Sequence, residues 1–516
     1  MKLRLGRLSR LSLPLLCLGS TAQAAWAVPK EYAIAPSADG HFFQKDDGTP
    51  FFWQGDTAWL MFHRLNYSEC EQYLTDRASK GFNIVLSVGF TQIGIDSPNR
   101  NGDLPFIDED PTKPNEPYWA YVDKIVELAW SKGVRIALVP AWGKHVHSND
   151  NKGSVLNSTT ARPFGEFIGK RYPYLPKLLV ADTNPYWANK DAVKNDYAAG
   201  GPTPDYTYTD WTPVYDELAY GIVDGEREAS GDQFHWPLMT IHPTNQWFSG
   251  GPRDGPLALA SDQVGDRDWL TFDASQSGHA DYPPNPPIPW WNARRGWETV
   301  ELMYAVGDTR EGKTRPCIDN EPHYEERYNN GKDFLPYWNA SDVRVGSWQS
   351  AFSGAAGITY GANMVMQSYI PELYDPDGSG PATPWYEQIH LPGSSQIQYI
   401  QQAILDRGEG TYFSRVPAQE IIASDTGAND KRVTATRDSN YSWIMVYTPT
   451  GETFSLRAVD LEKCGRIKAS WFDPLTGNYQ SFDYRSESGS KSVVFTPPTA
   501  ESHDDWVLVL EGEKRK

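Results

Sequence analysis

Cysteine is scarce: four in 516 residues. Cys70, Cys317 and Cys464 lie far apart, and Cys17 sits in an N-terminal apolar run, so neither a disulfide framework nor a zinc spacing is present. The chain has no Gly-x-Ser-x-Gly elbow, no phosphate-binding loop and no His-Glu-x-x-His pair, which removes the commonest signatures of acyl-transfer, nucleotide and zinc-protease chemistry. No apolar run reaches the ~20 residues of a membrane span. Positive charge is also short, with 47 Lys and Arg against 66 Asp and Glu, for a net charge of −19. Such a field repels nucleic acid and anionic lipid. Neither nucleic acid nor membrane insertion is therefore expected, and a monomer is.

Aromatic residues are plentiful instead, with 20 Trp, 28 Tyr and 20 Phe. Most belong in a core, but a surplus suits sugar sites, where a flat ring stacks on a sugar face. Residues 1–24 read as a signal peptide: Lys2, Arg4, Arg7 and Arg10 are basic, Leu11 to Leu18 is apolar, and Ala22-Gln-Ala24 is a cleavage site. Its removal takes away four positive charges and no negative ones, moving the net charge from −19 to −23. A periplasmic or secreted protein is expected.

From residue 25 the chain alternates strand and helix. His41 to Trp53 reads as a hairpin turning at Asp47-Gly48, and Ser68-Glu-Cys-Glu71 as a capping box. Eight apolar runs read as strands: Phe52–Asp56, Phe82–Val88, Arg135–Ala141, Leu178–Ala181, Pro237–His242, Trp269–Asp273, Arg315–Asn320 and Gly357–Tyr360. Helical stretches lie near Trp119–Ser131, Pro213–Ala229, Trp297–Val306, Val343–Ser353 and Ser395–Asp406. This is the pattern of an α/β (β/α)8 TIM barrel over residues 25–410. Residues 411–516 change to short strands at regular spacing, as in an antiparallel β-sandwich. The segment Tyr282–Trp291 is a stiff Pro-aromatic loop.

Two apolar runs end on a carboxylate: Lys177-Leu-Leu-Val-Ala-Asp182 and Pro316-Cys-Ile-Asp-Asn-Glu321. Catalytic groups of a β/α barrel sit at strand C-terminal ends. By strand count Asp182 follows strand four and Glu321 strand seven. A retaining glycosidase needs two carboxyl groups ~5–5.5 Å apart. Other polar or aromatic residues beyond strand ends are candidate substrate contacts: Asp56, Trp59, Trp142, His145, His242, Asp273, Gln276, His279, Asn320, His323, Tyr324 and Tyr360. His145-x-His147 lacks the spacing of a zinc site, and at Asp375–Gly380 Glu387 falls one position late for a calcium loop, so no metal and no cofactor are expected.

Several phrases resemble one family. Gly40-His-Phe-Phe, Gly48-Thr-Pro-Phe-Phe-Trp-Gln-Gly-Asp-Thr-Ala-Trp59, Tyr73-Leu-Thr-Asp-Arg-Ala-Ser-Lys-Gly-Phe-Asn83, Gln276-Ser-Gly-His279 and Asn320-Glu-Pro-His-Tyr-Glu325 are similar to the apiosidase-like glycoside hydrolases (glycoside hydrolase family 140 and relatives). Trp471-Phe-Asp-Pro-Leu-Thr-Gly477, Phe495-Thr-Pro-Pro498 and Asp505-Trp-Val-Leu-Val-Leu510 resemble the β-domain paired with them, which carries a collagen-binding label. The resemblance implies a retaining hydrolase of a plant cell-wall or related complex glycan, acting at apiose or another furanoside in pectin. It also implies Asp182 as acid/base and Glu321 as nucleophile. Family members tend to carry Gly-Gly-Asp-Arg-Asn-Pro after strand four; here Val180-Ala-Asp-Thr-Asn-Pro185 keeps the acid without the Gly-Gly and the Arg. Another furanoside or a pyranoside stays open, and the alternative from a different class is a non-catalytic glycan- or protein-binding module.

Overall fold

A computed structural model describes residues 26–91, 93, 95–147, 154–188, 208–243, 259–278, 295–329, 333, 336–485, 489–499 and 503–512. Eight short strands alternate with helices along the first part of the chain: β1 (Trp53–Thr57), β2 (Ile84–Val88), β3 (Arg135–Val139), β4 (Lys177–Leu178), β5 (Met239–Thr240), β6 (Asp273–Ser275), β7 (Cys317–Asp319) and β8 (Gly357–Tyr360). Each is buried along its whole length, which is why each reads as an unbroken apolar run rather than an alternating one. Six of them form one parallel sheet in the order β5-β4-β3-β2-β1-β8, and β6 and β7 form a second parallel pair. The core is thus TIM-barrel-like, but its regular ladders do not close the expected ring. They stop at two seams, each crossed by isolated bonds: Thr271 N–H to Met239 O (2.9 Å) between β5 and β6, and Ala356 N–H to Cys317 O (2.9 Å) between β7 and β8.

At the end of the sheet away from the candidate acids, the expected hairpin forms with Phe43 opposite Phe51. Gly48 makes its turn at φ +80°, a region only glycine enters without strain. Phe43 packs against Trp53 (ring centroids 5.9 Å apart) and Phe272 (5.6 Å), plugging that end. Helix α1 (Tyr67–Ser79) opens earlier than expected. Its cap is Asn66, whose Oδ1 accepts from Glu69 N–H (3.0 Å) while Glu69 Oε2 accepts from Asn66 N–H (2.7 Å).

Two helices flank the strand that carries Asp182: α2 (Ala161–Arg171) before it and α3 (Thr212–Ser230) after it. They touch backbone to backbone through Gly165 and Gly169 on one and Gly221 and Gly225 on the other. A Cβ at Gly165 would lie 2.3 Å from Leu218 O, and one at Gly221 2.3 Å from Arg162 O. Below this contact the buried Lys177 ammonium at the start of β4 donates to the Glu226 carboxylate of α3, to Tyr172 O (2.9 Å) and to Leu175 O (3.0 Å). All three of its protons are bonded, which is the condition for keeping a charge inside.

The C-terminal part is an antiparallel sheet of six strands, β9 (Arg415–Pro417), β10 (Thr434–Asp438), β11 (Trp443–Thr448), β13 (Ile467–Phe472), β14 (Tyr479–Phe482) and β16 (Trp506–Gly512), in the order β9-β10-β11-β16-β13-β14. A two-stranded sheet, β12 (Phe454–Arg457) with β15 (Ser492–Phe495), covers one of its faces. Side chains alternate between two cores. Ile444, Val446, Leu508 and Leu510 pack under β12 and β15, whereas Met445, Tyr447, Val507 and Val509 join the core of the β/α part.

Alanine normally stabilises a helix over glycine by ~1 kcal/mol. At Gly165 or Gly221 the opposite is expected: Gly165→Ala and Gly221→Ala should each lower unfolding stability by ~1–3 kcal/mol, read from urea midpoints. A stability gain would contradict the close approach.

Candidate active site

Beyond their hydrogen-bonded ends, the strands continue toward one rim. Ala141–Trp142 prolongs β3 and Val180–Ala181 prolongs β4, pairing in parallel with Trp142 opposite Ala181. His242 N–H donates to Val180 O (3.2 Å), which brings the residue after β5 beside them. Asn320 N–H donates to Ser275 O (2.8 Å) and Gly278 N–H to Glu321 O (3.0 Å), fixing the segment after β6 against the segment after β7. The result gathers Asp182, His242, Gln276 and Glu321 on the C-terminal rim.

Glu321 is 7% exposed, so its carboxylate must be met by the protein. His242 Nε2 stands 3.4 Å from Glu321 Oε2. The imidazole is itself fully buried and lies edge-on to Trp59, with ring centroids 5.0 Å apart at 85°. Trp59 in turn meets Trp142 edge-on at 5.9 Å. Glu321 also interacts with the Tyr324 phenol, which lies beside Thr57 of β1. Burial first, and then the Glu321 charge, hold that phenol well above its usual range, so it stays a donor. Tyr324 fits only because Gly361 follows β8: a Cβ there would lie 2.1 Å from its ring.

Asp182 differs in every respect. It is exposed, and its φ of +53° puts a non-glycine residue in the left-handed region, which Asp tolerates better than most. The residues that follow it are buried. Thr183 is buried with Oγ1 2.7 Å from His147 Nδ1, and the buried Tyr215 lies beside it. Asn184 is fully buried, and among the described residues neither polar atom of its amide has a partner; the same holds for Asn320, one residue before Glu321.

The rest of the expected contacts divide. Trp59, Trp142, His242, Gln276, Asn320 and Tyr324 come to the rim around the two acids. Asp56 and Tyr360 do not: they are neighbours on the outer face of the sheet. Asp56 accepts from the Tyr73 hydroxyl (2.6 Å) and Arg77 Nε (2.5 Å) of α1, and Tyr360 donates to Glu325 Oε2 (2.5 Å). Asp273 is also turned outward, accepting from Ser261 N–H and Ala274 N–H (2.9 Å each) at the start of a short helix. His145 is held by Thr91 O (2.7 Å) and stacks on Phe90. His323 stacks on Trp338 at 3.8 Å and faces Gly346 on the helical layer, with burial pulling its pKa down to about 4. His279 and the loop 282–291 lie outside the described residues.

Two members of the site carry no obvious signal in sequence. Thr183 stands where a charged residue was the pattern to look for, and Asp319 hides inside the β7 run. Asp319 Oδ2 accepts from Ser277 Oγ (2.5 Å) and Oδ1 from Ser277 N–H (3.2 Å), clamping the Gln276–Gly278 segment beside Glu321. Burial raises its pKa to about 6. Among the described residues no group of three or more His, Cys, Asp or Glu could hold a metal ion.

Residues 37–408 match the family described as "Apiosidase-like, catalytic domain", and residues 416–511 match "Putative collagen-binding domain of a collagenase". No curated protein matches the chain. Among solved structures, the chain is similar to one titled "Glycoside hydrolase", at 25% identity and a TM-score of 0.75, over 95% of this chain and 99% of that one. It is also similar to a glycoside hydrolase family 5 structure from Bacteroides vulgatus ATCC 8482, at 27% identity and a TM-score of 0.75, over 95% of each chain.

Asp273 offers a test of the placement. Burial raises its pKa from 3.8 to about 6, and its Oδ2 has no partner. A carboxyl with a raised folded-state pKa binds more protons folded than unfolded between these values, so its contribution to stability falls as pH rises through that window. The loss amounts to at most ~3 kcal/mol. Asp273→Asn should therefore gain stability over the native chain as pH rises from about 4 to about 6, in urea unfolding at both ends of the range. Parallel pH profiles for the two proteins would contradict the burial.

Proposed function

The chain belongs to the apiosidase-like family, and from that membership we propose that it is an exported retaining glycoside hydrolase acting on a complex plant-type glycan, at apiose or another furanoside. The observation that carries the reading is the environment of Glu321: a nearly buried carboxylate, His242 at 3.4 Å, a protonated Tyr324 beside it, and the exposed Asp182 on the same rim. The two seams, each crossed by backbone hydrogen bonds, support a closed eight-stranded barrel. The basic, apolar and Ala-x-Ala run of residues 1–24 supports export.

In this reaction the Glu321 carboxylate attacks the anomeric carbon as the bond to the leaving oxygen breaks. Asp182, as the acid, gives that oxygen its proton. A glycosyl ester on Glu321 results. Asp182, now a carboxylate, takes a proton from water, whose oxygen attacks the same carbon and releases Glu321 and a sugar of retained configuration. The division of labour follows the surroundings. Glu321 is oriented by neighbours that can donate to it, as a nucleophile must be. Asp182 stands open at the rim, where a leaving group and then a water can reach it.

Pectic and arabinofuranosyl oligosaccharides, separated by chromatography, form the panel. Glu321→Gln and Asp182→Asn should each lower turnover of the accepted oligosaccharide by roughly 100-fold or more while leaving the thermal midpoint close to that of the native chain. Near-native rates in either variant, or binding across the panel without turnover by the native chain, would overturn the reading.

A further inference from the structure

The acid in this reading rests on a backbone that does not hold itself. A φ of +53° at Asp182 costs a non-glycine residue of order 1 kcal/mol and persists only where the surroundings impose it. The next residue is held on several sides. Thr183 is 1% exposed and is gripped from three directions. Its Oγ1 lies 2.7 Å from His147 Nδ1, in the segment after β3. Tyr215, in the first turn of α3 and fully buried, lies beside the same side chain. From below, Gly143 leaves just enough room, since a Cβ there would come within 2.6 Å of Thr183 Cβ.

The outer partners are themselves fixed. The His147 ring stacks on Trp211 with centroids 5.1 Å apart at 28°, and Trp211 N–H donates to Pro185 O (2.8 Å), closing a loop back onto the segment that holds Asp182. Burial pulls His147 down to about 3, so the ring stays neutral at working pH and adds no charge beside the acid.

We propose that Thr183, locked between His147 and Tyr215, is the positioning residue that sets the Asp182 carboxyl for proton transfer to the leaving oxygen. The proposal rests on the assignment of Asp182 as acid/base. It predicts a defect confined to steps that need that proton. A glycoside with a poor leaving group depends on the acid, and one whose leaving group departs as a stable phenolate hardly does.

The test compares phenyl and 2,4-dinitrophenyl glycosides of the sugar released in the oligosaccharide screen. Thr183→Val keeps the shape and removes the hydrogen bond to His147. It should lower kcat/KM on the phenyl glycoside by roughly 10- to 100-fold and on the dinitrophenyl glycoside by less than about threefold. Thr183→Ser keeps the hydroxyl and should restore the phenyl rate. His147→Gln should reproduce the leaving-group dependence of Thr183→Val. A crystal structure of Thr183→Val should show Asp182 out of the left-handed region. Equal losses on both glycosides, no loss on either, or an unchanged Asp182 backbone overturn the proposal. The acid/base assignment is separately overturned if Asp182→Asn keeps the native rate on the phenyl glycoside.

Discussion

A carboxylate that is nearly sealed from water has to be matched by the protein, and the Glu321 carboxyl is the group around which the rim is arranged. His242 and Tyr324 are its partners, and each needs a further set of residues. His242 requires β5 to run past its last ladder bond and borrow Val180 O, and it needs Trp59 against its edge. Tyr324 requires a glycine after β8 and a hydroxyl on β1. Glu321 itself is set by the bonds that tie the segments after β6 and β7, with Asp319 clamping Ser277. Residues from β1, β5, β6, β7 and β8 thus converge on one carboxyl group, and the β4 extension that carries Asp182 is tied to them through Val180 O.

The C-terminal domain belongs to the same mechanical unit. Helix α4 (Ala340–Phe352) lies between β7 and β8 in sequence and is fastened to the C-terminal domain at both ends. Arg344 makes a two-pronged pair with Asp505 (2.8 Å each), and Tyr447 donates to the same acid (3.0 Å). At the far end the Arg415 guanidinium donates to Ala351 O and Ala355 O (2.7 Å each), where a helix leaves its carbonyls unpaired. Gln349 reaches carbonyls of Asp430 (3.0 Å) and Arg432 (2.9 Å). Because the central strands β11 and β16 are buried on both faces, they read as unbroken apolar runs, and the domain cannot be lifted off without exposing Met445, Tyr447, Val507 and Val509.

The strand-and-helix order was legible because burial on both faces leaves a simple trace, a short apolar run between polar helices. The two strand-end acids stood out for the same reason. What could not be read was the direction a side chain takes. Asp56 and Thr57 are adjacent; Thr57 reaches Tyr324 inside, and Asp56 pairs with Tyr73 and Arg77 outside. Side chains on a strand alternate faces, so one step along it decides between a site residue and a structural one, and an apolar run carries no mark of that parity. Asp273 and Tyr360 were misplaced on the same ground. Helix α2 went unseen because Gly165 and Gly169, which look like breaks, are what lets it touch α3. Strand β14 is a polar, mostly exposed edge and leaves no apolar run in the sequence.

The central claim is that Glu321 forms the covalent bond and Asp182 moves the proton. It is tested most directly by incubating the protein with a 2-deoxy-2-fluoro glycoside of the accepted sugar bearing a dinitrophenyl leaving group, and mapping the modified peptide by mass spectrometry. The account predicts a single glycosyl adduct on Glu321, released slowly with recovery of activity and absent in Glu321→Gln. An adduct on Asp182, or turnover with inverted configuration and no adduct, would contradict it.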